Sequence, residues 1–234
     1  MPTFLFVPGV WLGGWCWRYV ASPLRAAGHK VICPTLTGLG ERAHLLSPQI
    51  GLHTHVADVV GLLDYRGLND VVLVGHSYGG MVITAVAEQV PSRIHRLVYL
   101  DASVPRDGES NDDVIGPEMA AQLRSDARSG GGGWRVPPAQ YVLIGLTDAI
   151  RVWVEERLTP HPLRSFAEPV QLRSQAAAAL PRAFIRTSVQ YDLYERLIDQ
   201  AREAGWYCRQ LTGGHYSMLS EPQAVAAALC DLPP

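Results

Sequence analysis

Apolar positions along this chain follow two rhythms. Short continuous apolar runs closed by Gly, Pro or Asp read as buried strands, and longer stretches with apolar residues three and four apart read as helices. The runs predict strands over 3–7, 30–33, 71–74, 97–100, 183–187 and 206–211. The helical stretches cover 15–27, 55–63, 81–90, 193–204 and 223–229, with Gly28, Pro91 and Gly205 as stops and Ser220-Glu221-Pro222-Gln223 as a capping-box start. Strands alternating with helices indicate an α/β fold, a mostly parallel sheet with helices on both faces. The β-branched run Val71-Val72-Leu73-Val74 fits a central strand covered on both sides. In such sheets ligands bind at the carboxyl ends of strands, so the residues just after each strand are the ones to inspect.

The rhythm breaks near Val104. Residues 105–180 are rich in Gly, Pro, Arg and Asp, include Gly130-Gly131-Gly132-Gly133, and show helical spacing over 118–128 and 148–158 but no convincing strand. This segment is expected to be a small helical cap inserted into a core made of 1–104 and 181–234.

Composition narrows the function classes. The chain has 234 residues, 47% hydrophobic and 18% charged, with formal net charge -2. That suits a globular domain with a sizeable core and gives no field to attract nucleic acid or a membrane surface. No apolar run approaches the ~18 residues of a membrane span. The opening MPTFLFVPGVWLGG lacks a basic region and a small-residue cleavage site, so it reads as a first strand rather than a signal peptide. Cys16, Cys33, Cys208 and Cys230 are scattered without a CxxC pair, the pattern of reduced, mostly buried thiols in a cytoplasmic protein.

The sharpest chemical signal is Gly75-His76-Ser77-Tyr78-Gly79-Gly80 between a strand and a helix. It fits the G-x-S-x-G nucleophile elbow in its required context. Ser77 would sit in a strained turn that pushes its hydroxyl outward, Gly75 and Gly79 would leave room for packing, and the Tyr78 amide would face developing negative charge. A serine hydroxyl needs a base. Of eight histidines, His215 stands after the last strand in Gly213-Gly214-His215-Tyr216-Ser217, on the same edge as Ser77. His76 points elsewhere from within the elbow. His53 and His55 have the spacing of metal ligands but fit a solvated helix start better. His161, between Pro160 and Pro162, is expected to reach the cleft from the cap and join the substrate site.

Two carboxylates could orient His215. Asp101 follows an apolar strand, where an unpaired charge is costly. Asp192 follows the 183–187 strand, the commoner place for the acid, but Asp192-Leu193-Tyr194-Glu195 also reads as a helix cap. Trp11 and Leu12 from the first loop, and Trp134, Tyr141, Trp153 and Phe166 from the cap, are candidates for an apolar substrate pocket. Arg135 and Arg151 read as solvated cap residues.

These residues resemble the α/β-hydrolases of the branch holding plant hydroxynitrile lyases, plant methyl-ester esterases and bacterial pyrethroid-hydrolase-like esterases. The resemblance runs over nearly the whole chain. It rests on Val7-Pro8-Gly9-Val10-Trp11 with Gly14-Trp15-Cys16-Trp17, on 34–42, on the elbow, on 99–105, on Arg157-Leu158-Thr159-Pro160-His161-Pro162 and on 213–219. It implies the α/β-hydrolase fold, Ser77 as nucleophile or base, His215 as its partner, and the amides of Val10 and Tyr78 as the oxyanion hole. Pro8 stands where many members carry His. Val189 and Gln190 stand where many carry the acid, whereas Asp101 matches the acid position of the related haloalkane dehalogenases. The reading is a carboxylesterase-type serine hydrolase acting on a small, largely apolar ester through a Ser77 acyl-enzyme, with no metal or organic cofactor. It calls for a small-molecule partner, no nucleic acid and no membrane, and leaves a homodimer open. The alternatives are a lyase or cyclase moving protons with the same Ser-His pair, and a non-catalytic ligand receptor.

Overall fold

The computed structural model describes residues 2–187 and 192–233, Asp192 by its backbone alone. Six strands form one parallel sheet: β1 (Thr3–Val7), β2 (Lys30–Ile32), β3 (Val71–Ser77), β4 (Ile94–Ala102), β7 (Arg182–Arg186) and β8 (Tyr207–Gln210), in the order β2-β1-β3-β4-β7-β8. A second, two-stranded antiparallel ribbon pairs β5 (Arg135–Val136) with β6 (His161–Pro162).

Side chains alternate across the sheet, as the pleat requires. Phe4, Phe6, Val72, Val74, Val98 and Leu100 enter one apolar cluster, together with Val20 and Leu24 of α1 (Arg18–Ala26) and Val225 and Leu229 of α11 (Pro222–Cys230). Leu5, Val7, Val71, Leu73, Leu97 and Tyr99 enter the other. That second cluster is completed by Val56 and Val59 of α2 (Leu52–Tyr65), Val82 and Val86 of α3 (Gly79–Gln89), and Leu197 and Ile198 of α9 (Asp192–Glu203). Helices therefore cover both faces, and β3 at the centre is buried throughout.

Between β4 and β7 lie α4 (Asn111–Ile115), α5 (Pro117–Gly130), the ribbon, α6 (Asp148–Glu155), α7 (Arg164–Ala167) and α8 (Gln175–Ala178). The ribbon corrects the strandless reading of this segment: two residues per strand are too few for a period-two pattern to show. Leu123, Val136, Val154 and Phe166 continue the first apolar cluster into it. The capping box at Ser220 is not formed either. Ser217–Ser220 makes a short helix, α10, and α11 starts from Glu221 without a side-chain cap. Of the four cysteines only Cys16 is buried; Cys33 and Cys208 are half-buried and Cys230 is exposed. No helix among the described residues is long and apolar enough to cross a membrane.

Candidate active site

Ser77 ends β3 with φ 54, a left-handed conformation that non-glycine residues rarely adopt. Gly75 and Gly79 make that turn possible by their size. A Cβ on Gly75 would lie 2.6 Å from the Gly79 carbonyl oxygen, and one on Gly79 would lie 2.6 Å from the Val7 carbonyl oxygen. The loop after β1 presses on the same turn, since a Cβ on Gly9 would stand 2.8 Å from Ser77 Cβ. Helix α3 begins immediately afterwards, its first N–H groups directed at the site.

His215 lies between β8 and α10 and is nearly buried. Its ring stacks on Tyr194 at 5.3 Å and lies 4.5 Å from the ring of His76. His76 points away from the cavity, and its Nε2–H donates to the His215 carbonyl at 2.8 Å. Burial, and the neighbouring His215, hold His76 well below the usual histidine range, so it stays neutral.

Asp101 stands at the end of β4 with φ 41 and no exposed surface. Its Oδ2 is 3.7 Å from His215 Nδ1, within ion-pair range. A fully buried carboxylate must be compensated. Thr187, just past β7, does this twice: its N–H donates to Oδ1 at 2.8 Å and its hydroxyl to Oδ2 at 2.8 Å. The Thr187 hydroxyl also lies 3.2 Å from the Gly214 carbonyl, which ties the acid to the loop that carries His215. The sequence pattern showed Thr187 only as a strand end. The alternative acid Asp192 opens α9, but its side chain lies outside the described residues, as do Val189 and Gln190.

Ser77, Tyr78 and His215 line a cavity of about 140 Å³, together with Val10 and Trp11 of the first loop. Its further walls are apolar: Met119 and Leu123 of α5, one turn apart, then Tyr141, Phe166 of α7, and Leu193 of α9. Ser103 and Asn111 add polar groups, joined by a Ser103 hydroxyl bond to Asn111 Oδ1 at 2.8 Å. Neither the Val10 nor the Tyr78 N–H has a hydrogen-bond partner among the described residues. Both remain available to an oxyanion.

Four residues expected to line the pocket lie elsewhere. Leu12 has no exposed surface and packs in the core. Trp134 is half-buried with the Arg135 guanidinium over its ring at 5.5 Å. Trp153 packs edge-on against Trp15 at 5.1 Å beneath the Arg157 guanidinium, where a large flat ring covers apolar surface under a cation. His161 is wholly buried behind the cavity wall, 5.0 Å from the Tyr78 ring and 5.1 Å from that of Phe166. Arg135 and Arg151 are exposed. His55 is not solvated: it is buried, its Nε2–H donates to the Thr37 carbonyl at 3.1 Å, and its Nδ1 accepts from the Tyr78 hydroxyl at 2.9 Å. His53 is exposed, and no cluster of three metal-ligating side chains exists among the described residues.

Comparison with known proteins identifies the family. Residues 4–228 match the profile of the alpha/beta hydrolase family. The chain is 37% identical to the carbendazim hydrolyzing esterase of Nocardioides sp. (strain SG-4G), over 99% of this chain and 100% of that protein. It is 25% identical to the putative chloroplastic methylesterase 14 of Arabidopsis thaliana, over 98% of this chain and 71% of that one. An extracellular alpha/beta-hydrolase from a Paenibacillus species superposes with a TM-score of 0.86 at 24% identity, covering 98% of each chain. The strained serine at the end of the central strand, the histidine loop facing it and these relatives make one statement: the chain belongs to the alpha/beta hydrolase family and is a hydrolase of the carboxylesterase type.

Proposed function

We propose that this esterase cleaves small, largely apolar carboxylic esters through an acyl-enzyme on Ser77. The observation that carries the reading is that Ser77 and His215 line one largely apolar cavity, with buried Asp101 3.7 Å from the His215 Nδ1. Ser77 Oγ attacks the ester carbonyl while His215 takes its proton. The N–H groups of Val10 and Tyr78 hold the tetrahedral oxyanion. His215 then returns the proton to the departing alcohol, leaving the acyl group on Ser77. Water, deprotonated by His215, attacks that acyl group, and the serine recovers its proton. Asp101 stabilises the imidazolium formed in each half.

The segment 105–180, taken as a cap, supplies the apolar walls through Met119, Leu123, Tyr141 and Phe166, which favours an ester with a hydrophobic acyl or alcohol part. The esterases among its relatives support hydrolysis over proton shuttling alone. Four free cysteines suit a reducing, cytoplasmic setting. Methyl esters, and carbendazim from the name of the Nocardioides relative, are the first substrates to assay. The direct test is a fluorophosphonate probe with the adduct mapped by mass spectrometry. Rapid labelling of Ser77, lost in Asp101→Asn and retained in Asp192→Asn, is expected. An unlabelled Ser77 in the parent would sink the reading.

A further inference from the structure

Trp11 has φ 65, so the residue next to the proposed oxyanion donor Val10 is held in a conformation unfavourable for a large side chain. Something outside the loop must hold it. All three polar groups of Trp11 end on the segment between β4 and β7. Its indole N–H donates to the Val136 carbonyl at 3.0 Å, its carbonyl accepts from Thr159 N–H at 3.1 Å, and its backbone N–H points at His161 Nδ1 at 3.4 Å. Two of these partners are backbone groups of the β5–β6 ribbon and its flank. His161 is the side chain of the set.

Hydrogen-bond logic settles how His161 is protonated. A backbone N–H can only donate, so Nδ1 must be bare. Nε2 then carries the proton and donates to the Ser165 hydroxyl at 3.0 Å, whose own hydrogen goes to the Pro162 carbonyl at 2.8 Å. Burial and the neighbouring His55 keep the ring neutral, which preserves the acceptor.

We propose that His161 is a positioning residue: by accepting the Trp11 N–H it locks the first loop onto the ribbon and keeps the adjoining Val10 N–H aimed at the oxyanion. This rests on the Ser77 acyl-enzyme reading, and it places the residue's effect in the transition state rather than in substrate binding. Loop and ribbon thus move as one body, so oxyanion stabilisation depends on a correctly seated cap.

The test uses His161→Phe, His161→Asn and His161→Gln in the full chain. Phe keeps the ring and removes the acceptor. Asn Oδ1 stands where Nδ1 stands, and Gln reaches only the Nε2 position. With p-nitrophenyl butyrate, His161→Phe should lose about 10- to 100-fold in kcat with KM nearly unchanged, somewhat less than deletion of an oxyanion donor costs. An alkyl trifluoromethyl ketone, which forms a tetrahedral adduct on the serine, should lose affinity in step with kcat. Asn should restore most of the activity and Gln should not. That Asn–Gln contrast keeps the test decisive even if the Phe variant fails to fold. A folded Phe variant with parental kcat, equal effects of Asn and Gln, or a loss confined to KM would overturn the proposal while leaving Ser77 labelling intact. Failure of the parent to label at Ser77 would instead overturn the esterase reading and this proposal with it.

Discussion

Ser77 and Asp101 share a feature that ordinary strand residues lack: Ser77, the last residue of β3, and Asp101, the last but one of β4, both lie in the left-handed region, at φ 54 and φ 41. Such strain persists only where the surroundings over-determine it. At Asp101 the surroundings include the two Thr187 hydrogen bonds. Replacing Thr187 by valine keeps the N–H bond and the shape but removes the hydroxyl bond to a buried charge. A loss of about 1.5–3 kcal/mol is expected, read as a lower denaturant midpoint. Asp101→Asn should be far more damaging to turnover, lowering kcat for p-nitrophenyl butyrate by up to ~10⁴, because an amide cannot stabilise the imidazolium and presents an N–H to donors. An Asn variant within tenfold of the parent would remove Asp101 from the mechanism. At this scale Ser77, His215 and Asp101 were all legible from their places after strands. Thr187 was not, because a threonine ending a strand has no sequence mark distinguishing a carboxylate's partner from an ordinary β-former.

Elements meet without spare room where β3 turns into α3. The Val7 carbonyl and the Gly79 Cα are close enough that an added methyl group has no space. Gly79→Ala should therefore destabilise the chain by about 1–3 kcal/mol, the usual cost of overpacking. It should also slow fluorophosphonate labelling by shifting the Tyr78 N–H. Differential scanning calorimetry and timed labelling check the two effects separately, and an unaltered labelling rate would disconnect the close packing from the chemistry. Strand positions were readable because continuous apolar runs mark strands covered on both faces. Their ends were less so: β3 runs on through Gly75-His76-Ser77, residues that carry no strand propensity of their own and extend because β4 pairs with all three and β1 with Gly75. The β5–β6 ribbon left no signal, since two residues per strand are too few to show a period-two pattern.

Over the whole molecule, three buried histidines make stability depend on pH. His55 is lowered from the ordinary 6.5 to about 4 by burial, and His76 and His161 are also lowered by burial. Between about pH 4 and 6.5 the unfolded chain binds the His55 proton and the folded chain does not, so stability rises with pH across that window. The His55 contribution is complete above pH 6.5, is lost as pH falls toward 4, and amounts to about 3 kcal/mol. Urea midpoints measured across this range should fall steadily on acidification. His55→Gln, which can keep the bond to the Thr37 carbonyl, should flatten the slope; an unchanged slope would show that His55 does not carry it. What the sequence determined by itself was the local and the repeated: strand and helix alternation, the elbow, and a histidine and a carboxylate placed after strands. These follow from neighbouring residues and from the rule that loops at one sheet edge share a site. Tertiary structure decided which side chains face the cavity. His161 and Trp153 look like pocket residues in one dimension because aromatic character suits either a pocket or a core. Only packing against Tyr78, Phe166 and Trp15 turned them away from the cavity. The same packing brought Tyr194 onto His215 from a helix more than twenty residues upstream in the chain.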